Sequence, residues 1–227
     1  AVEWYTKSAK QGNSDAQFYL GFCYYNGKGV KKNTSKAAEW YAKSAEQGNA
    51  SAQCNLGVCY KNGEGVEKDY LKAVEWYTRS ANQGDAIAQY NLAVCYENGD
   101  GVEVDIQKAV EWYTKSAAQG YSASQLYLGE CYYYGNKVEQ NYDKAFEWFV
   151  KAAYKGDTSA QNYVGIFYHD GLSVKKNLER SFKWYLKSAE QGNAAAQCNV
   201  GGCYEYGDGV ETDMKEAIVW YTKSAEH

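Results

Sequence analysis

Seven cysteines are the groups in this chain best suited to metal binding, disulfide formation or nucleophilic attack. Five of them recur in a 36-residue register, and a phenylalanine completes the series: Cys23, Cys59, Cys95, Cys131, Phe167 and Cys203. A position that accepts phenylalanine requires an apolar side chain, and an unpaired cysteine behaves as a small one. Equivalent positions on stacked helices also lie about 10 Å apart, beyond the limit of roughly 7 Å for a disulfide. We predict that these five thiols are buried and unpaired.

Cys54 and Cys198 stand outside that series, at positions that vary from one copy to the next. A pair of cysteines needs further ligands to hold zinc, and no histidine accompanies either of them. The chain has only two histidines, His169 and His227. We therefore predict neither a metal site nor a cofactor.

Catalytic chemistry finds little support in the sequence. His169 is followed by Asp170, but adjacent residues of a helix do not face each other, so we expect no dyad between them. A serine recurs in the 36-residue register, and Ala152 replaces it once, which indicates packing rather than nucleophilic attack. These serines are Ser8, Ser44, Ser80, Ser116, Ser188 and Ser224. We predict that the protein is not an enzyme and has no catalytic residues.

The charge balance argues against several classes of partner. The chain has 24 basic and 28 acidic residues, and the net charge of −4 does not supply the positive field that nucleic acids or anionic membranes attract. No apolar run approaches the roughly 18 residues of a membrane span. We expect no nucleic-acid partner and no membrane insertion. Glutamates four residues before a lysine or arginine, such as Glu39 before Lys43, are expected to support helices by about 0.2–0.5 kcal/mol each.

The elements that position these groups follow a strict 36-residue period, which indicates a repeat architecture. An aromatic residue follows every tryptophan, and glycine, glutamine and tyrosine recur at fixed distances after it. We expect the tryptophans to be buried, with truncation of each to alanine costing about 3–5 kcal/mol. The seven tryptophans are Trp4, Trp40, Trp76, Trp112, Trp148, Trp184 and Trp220.

Each period predicts two helices. In the second copy, Ala37, Tyr41 and Ala45 form an apolar stripe at helical spacing, and Gly48 is available to end that helix. A second helical stretch spans Ala52 to Tyr60 and stops at a glycine-containing turn. No copy has the alternating pattern of a strand, so the sequence predicts an all-α fold.

These recurring motifs resemble the Sel1-like repeat, a relative of the tetratricopeptide repeat. The resemblance covers all 227 residues. It implies a right-handed superhelical solenoid of antiparallel helix pairs (an α/α superhelix), whose concave face binds other proteins. The motifs in the second copy are Leu56-Gly57 with Tyr60, Gly63-Glu64-Gly65-Val66, and Lys72-Ala73 with Trp76-Tyr77 and Arg79-Ser80-Ala81.

The phase of the motifs indicates a single solenoid domain, 1–227, and sets the bounds of its repeats. A lone second-type helix occupies 1–12, and six repeats follow at 13–48, 49–84, 85–120, 121–156, 157–192 and 193–227. Ala93 replaces the glycine of the Leu-Gly motif, and Lys137 and Ser173 replace the second loop glycine, so we expect altered loops in the fourth and fifth repeats. Uncapped terminal helices predict that the chain is a fragment of a longer array, with end-to-end self-association as a further interaction.

The positions that vary within the first helix of each repeat are those that the resemblance places on the concave face. They present asparagine amides, aromatic rings and more acidic than basic groups, which favours an extended and basic peptide as the ligand. About half of the aromatic residues are expected to fill gaps between helices instead. The predicted binding residues are Asp15, Phe18, Tyr19, Phe22, Tyr25, Asn55, Val58, Lys61, Tyr90, Asn91, Val94, Glu97, Leu126, Tyr127, Glu130, Tyr133, Tyr134, Asn162, Ile166, His169, Asn199 and Glu205.

The leading functional hypothesis is a non-catalytic adaptor or scaffold that binds a partner protein on this face. The alternatives are a member of the family that binds or hydrolyses β-lactams, and a structural linker in a larger protein. Saturable labelling by a fluorescent penicillin separates the second hypothesis from the first. Cysteines at unpairable spacings favour a cytoplasmic location, although the resemblance leaves the periplasm and the endoplasmic reticulum lumen open.

Overall fold

The computed structural model describes residues 1–226, so His227 lies outside the described residues. Every regular element in that range is a helix, and the all-α prediction is confirmed. The thirteen helices of the described residues are α1 (Val2–Lys10), α2 (Ser14–Asn26), α3 (Thr34–Glu46), α4 (Ala50–Asn62), α5 (Tyr70–Asn82), α6 (Ala86–Asn98), α7 (Ile106–Ala118), α8 (Ser122–Tyr134), α9 (Tyr142–Tyr154), α10 (Thr158–Asp170), α11 (Leu178–Ala189), α12 (Ala194–Tyr206) and α13 (Met214–Ala225).

The ends of the helices are fixed by capping residues. From α2 onward, an asparagine or aspartate precedes every helix except α8, and its side chain accepts a hydrogen bond from the first turn, as Asn49 does from the Ala52 amide. The even-numbered helices end at a glycine in the left-handed conformation, such as Gly63 at φ 74°. The period of the sequence is therefore also a period of start and stop signals.

The chain forms two compact units, Ala1–Gln119 and Gly120–His227. Within each unit, every helix packs against the helices that precede and follow it in the sequence. The first unit contains α1 to α7, and the second contains α8 to α13. No helix between residues 1 and 226 is both long enough and apolar enough to span a membrane.

The centre of each helix pair is filled by the aromatic residue that follows the tryptophan. Tyr77 and Phe149 are fully buried, and an added Cβ on Gly57 would lie 2.6 Å from the Tyr77 ring. The glycine of the Leu-Gly motif therefore lets the ring approach the backbone of the preceding helix. This close approach explains why most repeats have glycine there, while Ala93 shows that a buried methyl group is tolerated once.

The expectation that every tryptophan is buried is wrong. Only Trp220 is buried, Trp4 is 73% exposed, and the others are half-buried. A lysine or arginine three residues later lies over each ring, from 3.9 Å at Lys223 to 5.2 Å at Lys187, measured to the ring centroid. The outer faces of the tryptophans are therefore covered by basic side chains, whose charged ends stay in water.

Buried polar side chains connect neighbouring helices, both within a repeat and between successive repeats. Gln53 donates to the Ala45 carbonyl, and Gln83 in turn donates to the Gln53 side chain at 2.7 Å. Ser80 donates to the Ala50 carbonyl at 2.8 Å, thirty residues earlier. Ser44, Ser80, Ser116, Ser188 and Ser224 are thus structural, as predicted, because their hydroxyl groups donate to backbone carbonyls of the preceding helix.

The fourth and fifth loops depart from the glycine pattern in different ways. Ser173 keeps the left-handed conformation at φ 59°, and its hydroxyl contacts the Asp143 carboxylate. Lys137 has no positive φ, and its ammonium group donates to the Tyr127 hydroxyl at 2.7 Å. At Gly65, Gly101 and Gly209 a Cβ is excluded, because it would lie within 2.4 Å of a backbone carbonyl oxygen.

Candidate functional site

The candidate site is the set of side chains on α2, α4 and α6, and separately on α8, α10 and α12, that do not enter the helix-pair cores; we call it the even-helix face of each unit. Of the predicted binding residues, only Asn162 is buried. Asp15, Tyr19, Phe22 and Tyr134 are exposed, and the remainder are half-buried. The half-buried residues are Phe18, Tyr25, Asn55, Val58, Lys61, Tyr90, Asn91, Val94, Glu97, Leu126, Tyr127, Glu130, Tyr133, Ile166, His169, Asn199 and Glu205.

The first unit contains a small pocket of about 140 Å³ on this face, which we call the first pocket. The hydroxyl of Tyr25 at its edge donates to the Glu64 carboxylate. This hydrogen bond, with a smaller contribution from burial, raises the pKa of Tyr25 to about 12. The first pocket is lined by Phe22, Tyr25, Asn26, Tyr41, Asn55 and Val58.

Elsewhere in the first unit, polar groups of the face are already paired. Tyr113 donates to Glu97 at 2.8 Å, and the Tyr90 ring packs edge-on against Tyr113 with centroids 5.5 Å apart. The Asn91 amide lies 3.9 Å from the Cys54 sulfur. Cys54 is only 3% exposed, and burial raises the pKa of its thiol to about 12. This thiol is therefore protonated at neutral pH and unsuited to nucleophilic attack.

In the second unit, most aromatic residues of the face pack on one another. Phe149 and Tyr163 stack with centroids 4.3 Å apart, and Tyr133 contacts both rings. Tyr134 is exposed, and its hydroxyl lies 2.9 Å from that of Tyr163. Tyr133 thus belongs to a packed aromatic cluster, in agreement with the expectation that part of the aromatic residues fill gaps. Tyr134 remains at the surface.

Beside this cluster, Glu130 is a half-buried carboxylate on the face. Desolvation raises the pKa of Glu130, and the Tyr163 hydroxyl at 3.4 Å opposes that shift by donating to the carboxylate. Lys137 and Tyr127 are paired with each other at the same end of α8. This region presents hydrogen-bonding groups together with the exposed ring of Tyr134.

A larger pocket of about 540 Å³ lies between α10, α12 and α13, and we call it the second pocket. His169 stands at its edge, with Nδ1 2.6 Å from Asp170 Oδ1 and Nε2 3.4 Å from Asp208 Oδ2. The expectation that His169 and Asp170 do not interact is wrong, because both residues lie in the last turn of α10, where the side chains can turn toward each other. The second pocket is lined by Ile166, His169, Asp170, Tyr185, Cys198, Asn199, Gly202, Cys203, Tyr206, Asp208 and Tyr221.

Three predicted residues surround this pocket in different roles. Asn199 lines it and donates to the Asn162 side chain at 2.8 Å, which accounts for the burial of Asn162. Glu205 accepts a hydrogen bond from the Tyr221 hydroxyl at 2.6 Å. That bond raises the pKa of Tyr221 well above its usual range. The walls of the pocket are therefore fixed by hydrogen bonds between neighbouring helices.

The helix pattern in the sequence does not reveal the loop residues of the site. Asp208 lies 39 residues after His169, and Glu64 lies 39 residues after Tyr25, so each loop acid faces the preceding repeat. The equal spacing of one repeat plus three residues is the signal that could have found them. This spacing relates a residue on a helix to a residue in a loop, whereas the predicted binding residues all lie on helices.

The five cysteines of the apolar series are buried, as predicted. Burial raises the pKa of Cys59 to about 12 and the pKa of Cys95 to about 11. Cys198 is exposed in the second pocket. Within residues 1–226 no group of three or more histidine, cysteine, aspartate or glutamate side chains could hold a metal ion.

The pattern of helix pairs agrees with comparisons to known proteins. The family model described as Sel1 repeat matches residues 1–13, 14–49, 50–85, 86–121, 122–157, 158–193 and 194–227. Among curated protein sequences, none matches the chain.

Solved structures with similar folds come from several bacteria. The protective antigen c5321 of uropathogenic Escherichia coli is 38% identical with a TM-score of 0.92, and the match covers 100% of this chain and 48% of that one. The chain thus spans about half the length of that relative. A Sel1 repeat protein from Oxalobacter formigenes is 32% identical with a TM-score of 0.80, covering 94% of this chain and 86% of that one.

A more distant likeness concerns the fold alone. The immunity protein Pa5087 from Pseudomonas aeruginosa is 21% identical with a TM-score of 0.53, and the match covers 94% of this chain and 81% of that one. The family model covers the repeats from one end to the other, and the relatives from E. coli and O. formigenes share both sequence and fold. This chain belongs to the Sel1 repeat family.

Proposed function

We propose that the protein is a non-catalytic scaffold that binds an extended segment of a partner protein on the even-helix face. The observation that carries this proposal is the contrast between core and accessible positions on the even-numbered helices. The core positions there repeat in nearly every copy, such as the buried Gln53, Gln89 and Gln125, whereas the accessible positions differ from copy to copy. Variation at accessible positions that supply rings, amides and carboxylates is suited to selective recognition.

The second pocket gives this proposal its chemistry. Asp170 and Asp208 both line it, and His169 is the only basic residue in its lining. A carboxylate pair beside the apolar side chain of Ile166 and the ring of Tyr206 suits a lysine or arginine, because the charged end pairs with the acids while the stem packs on apolar surface. The preferred partner segment is therefore basic, with one cationic residue inserted in the second pocket.

Selection of peptides from a random displayed library tests this proposal directly. We expect the intact chain to enrich peptides that contain lysine or arginine. The variant with Asp170→Asn and Asp208→Asn should bind them at least about tenfold more weakly, since both carboxylates that would pair with the cation are lost. The matched control is Asp100→Asn, because Asp100 occupies the position of Asp208 three repeats earlier.

Two results would contradict the proposal. One is a selection that yields no enriched sequence. The other is a set of peptides whose affinity is the same for the intact chain and for the Asp170→Asn, Asp208→Asn variant. Equal weakening by Asp100→Asn would show that general surface charge, rather than the second pocket, governs binding.

A further inference from the structure

Two loops of the first unit form pockets that are equivalent in position and in volume. One is bordered by Tyr24 and Val30, and the other by Tyr60 and Val66, one period later in sequence. Each has a volume of about 400 Å³. The first is lined by Tyr24, Val30, Lys31, Lys32, Asn33 and Lys36, and we call it the basic loop pocket. The second is lined by Tyr60, Val66, Glu67, Lys68, Asp69 and Lys72, and we call it the neutral loop pocket.

The two pockets differ in charge because of two substitutions. Lys31 is replaced by Glu67, and Asn33 is replaced by Asp69. In the neutral loop pocket, the Lys72 ammonium group lies 3.4 Å from the Asp69 carboxylate, which balances its charge. Asn33 cannot balance Lys36 in this way. The two negative and two positive charges of the neutral loop pocket therefore sum to zero, whereas the basic loop pocket has three positive charges.

Within residues 1–226, no carboxylate pairs with Lys31, Lys32 or Lys36. The Lys36 ammonium nitrogen lies 5.4 Å from the centroid of the Tyr24 ring, and that of Lys32 lies 5.7 Å from the centroid of the Tyr25 ring. Both side chains are therefore held against aromatic surface. This packing reduces the freedom that the two ammonium groups would lose on binding a ligand. The pocket therefore presents partly ordered and uncompensated cations.

The start of α3 adds to the positive potential. Asn33 lines the pocket and caps this helix by accepting a hydrogen bond from the Lys36 amide. The positive end of the helix dipole thus coincides with the lysines. The neutral loop pocket also stands at a helix start, where Asp69 supplies the cap. The helix end alone does not distinguish the two pockets, and the difference between them is the lysine charge.

We propose that the basic loop pocket binds a phosphate dianion, either free or as the monoester of a phosphorylated side chain. This site is separate from the even-helix face and does not depend on the function proposed above. A carboxylate would neutralise one of the three ammonium groups, whereas a phosphate monoester has up to two charges and three acceptor oxygens for them. The volume leaves room for the group that carries the phosphate to lie against Tyr24 and Val30.

The sequence contains a second copy of the basic motif. Val30-Lys31-Lys32-Asn33 recurs as Val174-Lys175-Lys176-Asn177, with Arg180 at the place of Lys36. Glu179 stands where the first copy has Ser35. This glutamate lies 2.7 Å from the Lys183 ammonium group, which compensates its charge.

Backbone NMR of the full chain tests the proposal by titration with inorganic phosphate and with O-phosphoserine at pH 7 and constant ionic strength. We expect saturable shifts of the amides of residues 30–36. The variant with Lys31→Glu and Asn33→Asp, which copies the neutral loop pocket, should weaken binding at least about tenfold. The reverse variant, Glu67→Lys with Asp69→Asn, should acquire saturable shifts at residues 66–72.

Two comparisons make the test decisive. Tighter binding of O-phosphoserine than of inorganic phosphate identifies a phosphorylated side chain as the source, and equal binding identifies a free phosphate. Shifts that fail to saturate, that acetate reproduces, or that survive in the Lys31→Glu, Asn33→Asp variant would overturn the proposal. Unchanged amide shifts elsewhere confirm that each variant is folded.

Discussion

The first and second pockets occupy the same place in their repeats, 144 residues apart in sequence, and yet they differ about fourfold in volume. Both have a tyrosine wall and an asparagine, namely Tyr41 with Asn55 and Tyr185 with Asn199. The other positions differ, with Phe22, Tyr25, Asn26 and Val58 in one and Ile166, His169, Asp170 and Gly202 in the other. One scaffold thus produces a small, largely apolar pocket and a larger acidic one.

Two substitutions account for the difference. Val58 fills space in the first pocket, whereas Gly202 leaves it empty, and a Cβ added there would meet only the Tyr221 hydroxyl at 3.6 Å. Tyr25 donates to the loop acid Glu64, whereas the shorter His169 lies 3.4 Å from the loop acid Asp208. The comparison teaches that recognition can change from repeat to repeat without any change in the core.

The largest effect is expected from truncating the buried tyrosine that forms one wall of each pocket, Tyr41 in the first and Tyr185 in the second. Tyr185→Ala should lower the free energy of unfolding by about 3–5 kcal/mol, because the ring is buried against the backbone of Gly165. Tyr41→Ala should have a similar effect in the first unit. Urea denaturation followed by circular dichroism measures both.

The control for this prediction is Trp4→Ala, whose side chain is 73% exposed. This substitution should cost much less than Tyr185→Ala, because little apolar surface is returned to water. Equal costs would contradict the assignment of the core to the residues that follow the tryptophans, because an exposed ring would then stabilise the fold as much as a buried one.

A second test compares Cys54 and Cys198, which occupy equivalent positions near the two pockets. Cys198 is exposed, whereas Cys54 is buried and burial raises the pKa of its thiol to about 12. At pH 8, a thiol reagent should modify Cys198 at least about a hundredfold faster, since Cys54 reacts only after local opening. Mass spectrometry of the labelled protein identifies the site.

The Cys198→Ser variant provides the control for this experiment. It should remove the fast phase of labelling and leave the slow phases unchanged. A basic peptide from the displayed library should protect Cys198 in the intact chain. Fast labelling of Cys54 would contradict its burial, and labelling of Cys198 that the peptide does not slow would contradict the assignment of the second pocket as the binding site.

The sequence predicts some features of the two pockets and not others, depending on the kind of residue. The period predicts the places of Tyr41 and Tyr185, because a core position recurs in every copy. It also predicts that Tyr25 and His169 are accessible. It does not predict the loop acids Glu64 and Asp208, since their approach depends on how a turn packs against the repeat before it. Nor does it predict the partial exposure of the tryptophans, because hydrophobicity alone does not show which face a neighbouring helix covers.

A smaller effect is expected when the volume of the second pocket is reduced. Gly202→Val copies the first pocket and should weaken the binding of selected basic peptides about tenfold by occupying their space. The protein should remain folded, because a Cβ at this position meets no backbone of another helix within 4 Å and glycine is the poorer helix former. Fluorescence anisotropy with a labelled peptide measures the change. Unchanged affinity would exclude insertion into this pocket.

The smallest effect concerns the hydrogen bond that closes the first pocket. Tyr25→Phe should cost about 1 kcal/mol at neutral pH, through loss of the bond to Glu64. The pKa of Tyr25 is raised from 10.0 to about 12, so the folded state retains this proton more strongly than the unfolded state. The stabilisation is therefore complete below pH 10 and disappears as the pH approaches 12. Urea denaturation of both proteins across this range should show their stabilities converging, and a difference that stays constant to pH 12 would show that the hydroxyl proton is not shared with Glu64.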